Sequence, residues 1–363
     1  MKVPVYIGAE SIVSSLGRSA ASNYDQLCKG ISGIALEPGI GWKESDVYLS
    51  RIRDLPAVGP FASLLSASLE ELSAGWDQAL LTSSDTQVII SSTKGELSDD
   101  LLNPFHAVID GLINRFGLVH RPLLLSNACI SGVLAINLAA RMIGEGMCRH
   151  VVVLGADVIS PFVLYGFQSL YAVSDVPCRP FDQDRKGVTL GDGCGRVVLS
   201  VEKNSFSETP ALYLGGGDAN DANHISGPSR TGEGLVRAVA KSLRNAGVDT
   251  QEIGYLNAHG TGTLYNDEME AIAFNRLGLE TIPLNSLKGY WGHTLGAAGL
   301  IETALCMQVL RNGIIPASIG FENPGTSKPL NVVTRPEELK KDIILKTASG
   351  FGGGNAALLI TRS

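Results

Sequence analysis

Apolar and polar positions along the chain alternate between two regimes. Short runs dense in Val, Ile and Leu, "TQVIISST" (86–93), "RPLLLSNA" (121–128), "HVVVLGAD" (150–157) and "RVVLSVEK" (196–203), predict buried strands. Between them lie stretches with helical spacing, such as "DDLLNPFHAVIDGLINRFG" (99–117). The opening "MKVPVYIGAE" also reads as strand. Strands alternating with helices favour an α/β sandwich built on buried sheets.

The pattern then starts again. Strand "ALYLGGGDAN" is followed by helix "GEGLVRAVAKSLRNAG", strand "IGYLNAHG", helix "NDEMEAIAFNRLG", strand "TIPLNS", helix "GAAGLIETALCMQVLRNG" and two closing strands, "DIILKTASG" and "NAALLITR". The clearest echo pairs "NACISGVLAINLAARMIGEG" with "GHTLGAAGLIETALCMQVLRNG": a reactive side chain, small residues, then a long apolar helix ending in Gly. A pseudo-twofold axis relating the halves would bring Cys129 and His293 to matching helix starts near the centre. Polar "KNSFSETP" (203–210) breaks the strand pattern, so the expected halves are 1–205, carrying Cys129, and 206–363, carrying the two histidines of interest.

Composition narrows the class. With 363 residues, 44% hydrophobic, 18% charged and 42 glycines, the chain is a compact folded protein with many tight turns. Its 29 basic and 36 acidic residues give a net charge of -7, and no Lys/Arg run is long enough to follow a phosphate backbone, so nucleic acid is not an expected partner. Neither a signal-peptide pattern nor a bilayer-length apolar run is visible, so membrane insertion is not expected. Six cysteines without CxxC pairing or metal-ligand spacing point to free thiols in a reducing, cytoplasmic setting without a metal site.

A cysteine in such a protein is ordinarily small packing material. Cys129 stands apart because it is expected in the first turn of its helix, where unpaired N–H groups and the helix dipole favour an anion and lower the thiol pKa. Those amides could also receive the oxygen of a tetrahedral intermediate, with Ala128, Ser131 and Gly132 leaving room for a long substrate. Cys28 and Cys306 fall in helical patterns, Cys148 closes a helix, and Cys178 and Cys194 read as loop residues; all five are taken as structural.

"NAHGTGTLYND" puts His259 at a strand end before a polar glycine-threonine loop, and "SLKGYWGHTLGAAG" puts His293 before a helix opening on small residues. Lys288 and Glu302 flank His293 within apolar sequence, where a buried pair is the expected reading and an ordinary surface pair the bland one. Asp267 and Glu270 are read as bracing the His259 loop. The glycine-rich stretches "GFGGGN" (350–355) and "LGDGCGRVVLS" (190–200) lead into strands, so they read as tight turns and not as phosphate-binding loops. His224 reads as structural.

Taken together, "NACISG", "AHGTGT", "SLKGYWGHTLGAAG" and "GFGGGN", in this order and spacing, resemble the beta-ketoacyl-ACP synthases of the elongating Cys-His-His type. "GISGI", "RPFDQDRKGVTLGDGCGRVVL", "DANHISGP" and "IPASIGFENP" extend the resemblance over nearly the whole chain, weakest between about 35 and 100. It implies the thiolase fold, duplicated βαβαβαββ halves in a five-layered α-β-α-β-α sandwich. It also implies decarboxylative Claisen condensation of an acyl thioester on Cys129 with malonyl-ACP, in fatty-acid or polyketide elongation. By resemblance, Cys129, His259 and His293 are catalytic and Lys288 and Glu302 supporting. Cys129 and Phe351 supply the oxyanion hole, Phe351 gates the acyl chamber, and Thr261 and Thr263 bind pantetheine.

No resident cofactor is implied, because substrates ride on the phosphopantetheine of an acyl carrier protein. Docking that acidic partner requires a local basic patch, for which Arg149, Arg185 and Lys186 are candidates. The resemblance further implies a homodimer, with a heterodimer with a chain-length-factor-like paralogue as its variant. Val188 stands where many relatives have Phe, Gly354 where many have Thr, and the region before Cys129 is abbreviated; all three bear on the acyl pocket. "STKGE" and the short run to "SNACISG" resemble synthases of specialised pathways such as aryl polyene assembly. The alternative is a non-catalytic chain-length-factor-like subunit, but such subunits lose the nucleophile that is kept here. A CoA-dependent thiolase would need a second cysteine near "GFGGGN", and an initiating synthase an Asn in place of His293.

Overall fold

The computed structural model describes residues 3–97, 103–221 and 227–363. His224, and the start of the helix expected from 99, fall outside the described residues.

Ten strands form one sheet among the described residues. In the first half they are β1 (Val5–Val13), β2 (Thr86–Ser91), β3 (Leu123–Leu125), β4 (His150–Asp157) and β5 (Gly193–Ser200). The second half supplies β6 (Ala211–Asn220), β7 (Ile253–Asn257), β8 (Leu284–Asn285), β9 (Ile343–Gly350) and β10 (Gly354–Arg362). The spatial order is β8-β7-β9-β10-β6-β1-β5-β4-β2-β3. Numbered within its half, each set runs third, second, fourth, fifth, first, so the two halves share one topology and meet where β1 pairs antiparallel with β6. The duplication expected from the repeated pattern is therefore the architecture.

Strand alternation sorts the side chains into layers. On β9, Ile344 and Ala348 join the central core while Leu345 faces the outer one. The central layer holds α4 (Ser131–Gly144) and α9 (Ala298–Asn312), with α1 (Ala20–Cys28) beside α9. Outside the first half-sheet lie α2 (Pro60–Glu70) and α3 (His106–Phe116); outside the second lie α6 (Glu233–Ala246) and α7 (Leu264–Arg276). This is the five-layered sandwich. Helix α4 is apolar on most sides and buries ten of its 14 residues, as a helix between the two halves of the sheet must.

The two central helices cross closely. A Cβ on Gly132 would lie 2.5 Å from the Leu300 nitrogen, and one on Gly299 would lie 2.9 Å from the Val133 nitrogen. Each glycine thus admits the other helix's backbone, and the crossing draws the starts of α4 and α9 together. Helix α5 (Pro161–Ser169) and the single turn α8 (Lys288–Trp291) complete the frame around that crossing.

Two element assignments need correction. Cys194 lies in β5, buried, not in a loop; the glycines around it let α9 pack tightly on that strand, with Gly195 facing Ile301. Helix α4 begins at Ser131, so Cys129 sits two residues before it and not within its first turn. Ala128 takes φ 44°, turning the chain sharply from β3 toward the helix and lifting Cys129 to the outside of that bend.

Candidate active site

The bend carries Cys129 to the end of a cavity of about 370 Å³, where His259 and His293 also lie. One donor atom from each of the three falls within 4.8 Å of the others. The imidazoles meet edge to face, 5.2 Å between centroids at 83°. β7 delivers His259 and the turn after α8 delivers His293, both from the second half, while the bend after β3 delivers Cys129 from the first, so both halves contribute to one site.

Burial pushes the Cys129 thiol up to about 12, against the pull of Lys288 and of the Phe351 and Cys129 amides. The expected lowering by a helix terminus fails because Cys129 stands outside the helix and is shut away from water, which disfavours the thiolate. The thiol is protonated at rest. The two amides that reach it nonetheless form a pair of converging donors: Gly350 packs flat on this turn, where a Cβ would lie 3.1 Å from the Cys129 nitrogen.

Both histidines are held neutral, well below their ordinary pKa, first by burial and then by Lys288 and Lys346. Their tautomers follow from their neighbours. Leu295 N–H donates to His293 Nδ1 at 3.2 Å. The Lys288 ammonium lies 3.3 Å from His259 Nδ1, which must accept. Each ring therefore carries its proton on Nε2, and His293 Nε2 is buried without a partner in the cavity. Cys129, His259 and His293 have the donor types for a soft divalent ion, but a metal needs an unprotonated Nε2, and the surroundings enforce the opposite. The same arrangement suits two N–H donors aimed at a substrate oxygen.

Behind the rings, Lys288 and Glu302 form a fully buried pair at 2.7 Å, and Lys288 also donates to the His259 carbonyl. The other Glu302 oxygen meets Lys346 at 2.7 Å, a charge contact outside good hydrogen-bond alignment. Asp267 accepts from the amides of Phe181 at 2.7 Å and Thr261 at 2.9 Å, while Glu270 accepts from His259 at 2.8 Å and Gly260 at 2.6 Å. These two carboxylates brace the His259 loop and do not face the cavity. Burial and the neighbouring Asp267 raise Glu270 to about 7.

At the cavity wall the Thr261 and Thr263 hydroxyls lie 2.8 Å apart, and Phe351 at the mouth stacks on Phe167 of α5 at 5.5 Å. Val188 and Gly354 also line the cavity. A Cβ on Gly354 would lie 2.8 Å from Ile130 Cδ1, so glycine here matches isoleucine there. Of the expected docking cations only Lys186 is at the cavity. Arg149 pairs with Glu202 before β4, whose far end, Asp157, holds Gly296 beside the site. Arg185 is buried, donating to carbonyls of Asp182 and Gly325.

Sequence reasoning missed Lys346, Phe167 and Asp157. Lys346 left a signal: in "IILKTAS" it shares strand parity with Ile344 and Ala348, so it points into the central layer. Asp157 accepts from Ser92, Lys94 and Gly296, tying "STKGE" to the start of α9. No local pattern marks Phe167.

Comparisons with known proteins agree with this geometry. Residues 64–204 match the beta-ketoacyl synthase N-terminal domain and residues 211–322 the C-terminal domain. A 3-oxoacyl-[acyl-carrier-protein] synthase 2 of Rhizobium meliloti (strain 1021) is 30% identical over 98% of this chain and 79% of its own. One from Coxiella burnetii is 28% identical over 99% and 98%. A solved structure, the ketosynthase ApeO with its chain length factor ApeC from Xenorhabdus doucetiae, superposes with TM-score 0.86 at 29% identity, covering 99% of this chain and 98% of that one. Sequence, topology and the meeting of one thiol with two imidazoles lead to one conclusion: the chain belongs to the beta-ketoacyl synthase family of condensing enzymes, with the thiolase fold.

Proposed function

We propose that Cys129, His259 and His293 carry out the condensation, in two half-reactions. Cys129 attacks the thioester of an acyl carrier protein, the Cys129 and Phe351 amides receive the oxyanion, and collapse expels the carrier thiol, which takes the proton Cys129 loses. Malonyl carrier protein then enters. His259 and His293 donate their Nε2–H groups to its thioester oxygen, carbon dioxide leaves, and the resulting enolate attacks the acyl carbonyl. Cys129 departs as thiolate and takes up one proton, leaving a 3-oxoacyl carrier protein. The observation that carries this reading is the convergence of the thiol, two outward N–H imidazoles and two backbone amides on one cavity.

Lys288 and Glu302 act in support, Thr261 and Thr263 bind the pantetheine arm, and Phe351 gates the chamber with Phe167 against it. Substrates arrive on phosphopantetheine, and no step above uses a resident cofactor. Division of the chain at 205/206, a cytoplasmic setting and assembly as a dimer belong to the same reading. The chain-length-factor complex named above supports a heterodimer as one form of that dimer.

Intact-protein mass spectrometry after mixing with a panel of acyl carrier proteins, then malonyl carrier protein, tests the chemistry. An acyl adduct is expected on the unaltered chain and absent from Cys129→Ala, and malonyl carrier protein should discharge it to the 3-oxoacyl product. No adduct with any donor, even with a paralogous partner subunit present, would remove the catalytic reading and leave that of a non-catalytic partner.

A further inference from the structure

The buried centre behind the imidazoles holds two lysines and one glutamate that share contacts. Lys288 and Lys346 take the two oxygens of Glu302, each at 2.7 Å, and all three are fully buried. Lys346 also donates to the Thr347 carbonyl at 2.6 Å and lies 3.4 Å from that of Ala258, the residue before His259. Burial lowers the Lys346 pKa while the Glu302 carboxylate opposes it, and one carboxylate balances only one of the two lysine charges. Burying unbalanced charge is costly, so a structural role alone does not account for the second lysine.

Resting on the function proposed above, we propose that Lys346 is a positioning residue: it holds Glu302, and through it Lys288, against His259, and adds a fixed positive charge behind both imidazoles that favours enolate formation.

Charged and titratable groups around this centre come from every packed element: Tyr255 from β7, Lys288 from α8, Lys346 from β9, Glu302 and Cys306 from α9, Asp267 and Glu270 from α7, and Cys129 before α4. The field of Lys346 is felt at His259 and His293, whereas at the Cys129 thiol the charges felt are those of Lys288 and Asp157. Lys346 thus bears on the half-reaction in which the histidines meet negative charge. A preorganised charge aimed at developing charge acts without reorganising in the transition state.

The test measures the two half-reactions separately in the full chain, with hexanoyl carrier protein for acylation of Cys129 and malonyl carrier protein for condensation. For Lys346→Met and Lys346→Gln, acylation should stay within about twofold of the unaltered rate, which also certifies the fold. Condensation kcat should fall roughly tenfold, less than for a group touching the reacting atoms, with KM for malonyl carrier protein little changed. The acid limb of its pH profile should move upward, because removing a cation raises the histidines' pKa.

Equal loss in both half-reactions, or none in either, would overturn the proposal. Should both variants fail to fold, 15N resonances of the lysine side chains in the unaltered protein decide it: two buried ammonium groups at neutral pH are required, and a neutral amine at Lys346 overturns it. An unaltered protein that neither acylates nor condenses would instead overturn the functional reading.

Discussion

At Cys129, burial and the bend at Ala128 matter more than the helix that follows. The thiol is protonated at rest, and its two facing amides serve the oxyanion that forms when it attacks. The histidines differ from ordinary catalytic ones in that their proton-accepting nitrogens are already occupied by Leu295 N–H and Lys288. A group whose folded pKa is depressed is neutral above that lowered value, so both rings remain in the donating form as pH falls through their ordinary 6.5. Condensation kcat/KM should therefore stay flat through pH 6.5 and decline only below it; an acid limb with its midpoint at or above 6.5 would contradict the neutral pair. The same depression makes unfolding take up protons, so each histidine withdraws up to ~1.4 kcal/mol of stability per pH unit as pH falls below about 6.5. Glu270, raised to about 7, acts with the opposite sign, its contribution being lost as pH rises through that value.

Among the elements, the crossing of α4 and α9 positions the site. Cys129 precedes one helix and His293 the other, and their approach depends on Gly132 and Gly299 lacking side chains. Gly132→Ala would place its methyl 2.5 Å from the Leu300 nitrogen, which is backbone and cannot rotate away. The substitution should cost roughly 1–3 kcal/mol in urea unfolding and slow acylation of Cys129 as well. A change confined to activity, with stability untouched, would show that the helices can separate freely. The glycine run 350–354 serves differently: it is the hairpin between β9 and β10 and sets the Phe351 amide against Cys129.

For the whole molecule, one sheet edge stays open among the described residues. β3 ends the ten-stranded sheet, and its Leu123 and Leu124 are each 42% exposed. An open edge strand bearing apolar side chains favours pairing with another chain. A dimer joined here would set β3, and with it the Cys129 bend, beside the partner. Light scattering should give twice the mass of one chain, or of one chain plus its paralogue, and Leu124→Lys should shift it toward the monomer; an unaltered chain that stays monomeric both alone and with the paralogue would remove this interface. Among the described residues no helix is long and apolar enough to cross a membrane.

Much of this molecule was legible in the order of its residues. Strand and helix periods are local, so alternation, the repeat and the echo between the Cys129 and His293 turns were visible without coordinates. The motifs around His259, Lys288 and "GFGGGN" were legible because each needs particular residues at short spacing. Lys346 was legible only as an inward-facing strand position and not by its partners, and Phe167 and the fate of Arg149 and Arg185 were not legible, since each depends on which distant strand or loop lies opposite. Thiol ionisation was misjudged for the same reason. A helix terminus can be read from sequence, but desolvation and the charges behind a site exist only once two half-sheets close around the central helices. The sequence by itself determined which chemical groups the protein has and the period on which they recur; tertiary structure decided their protonation, their tautomers and their partners, because those are set by distance through space.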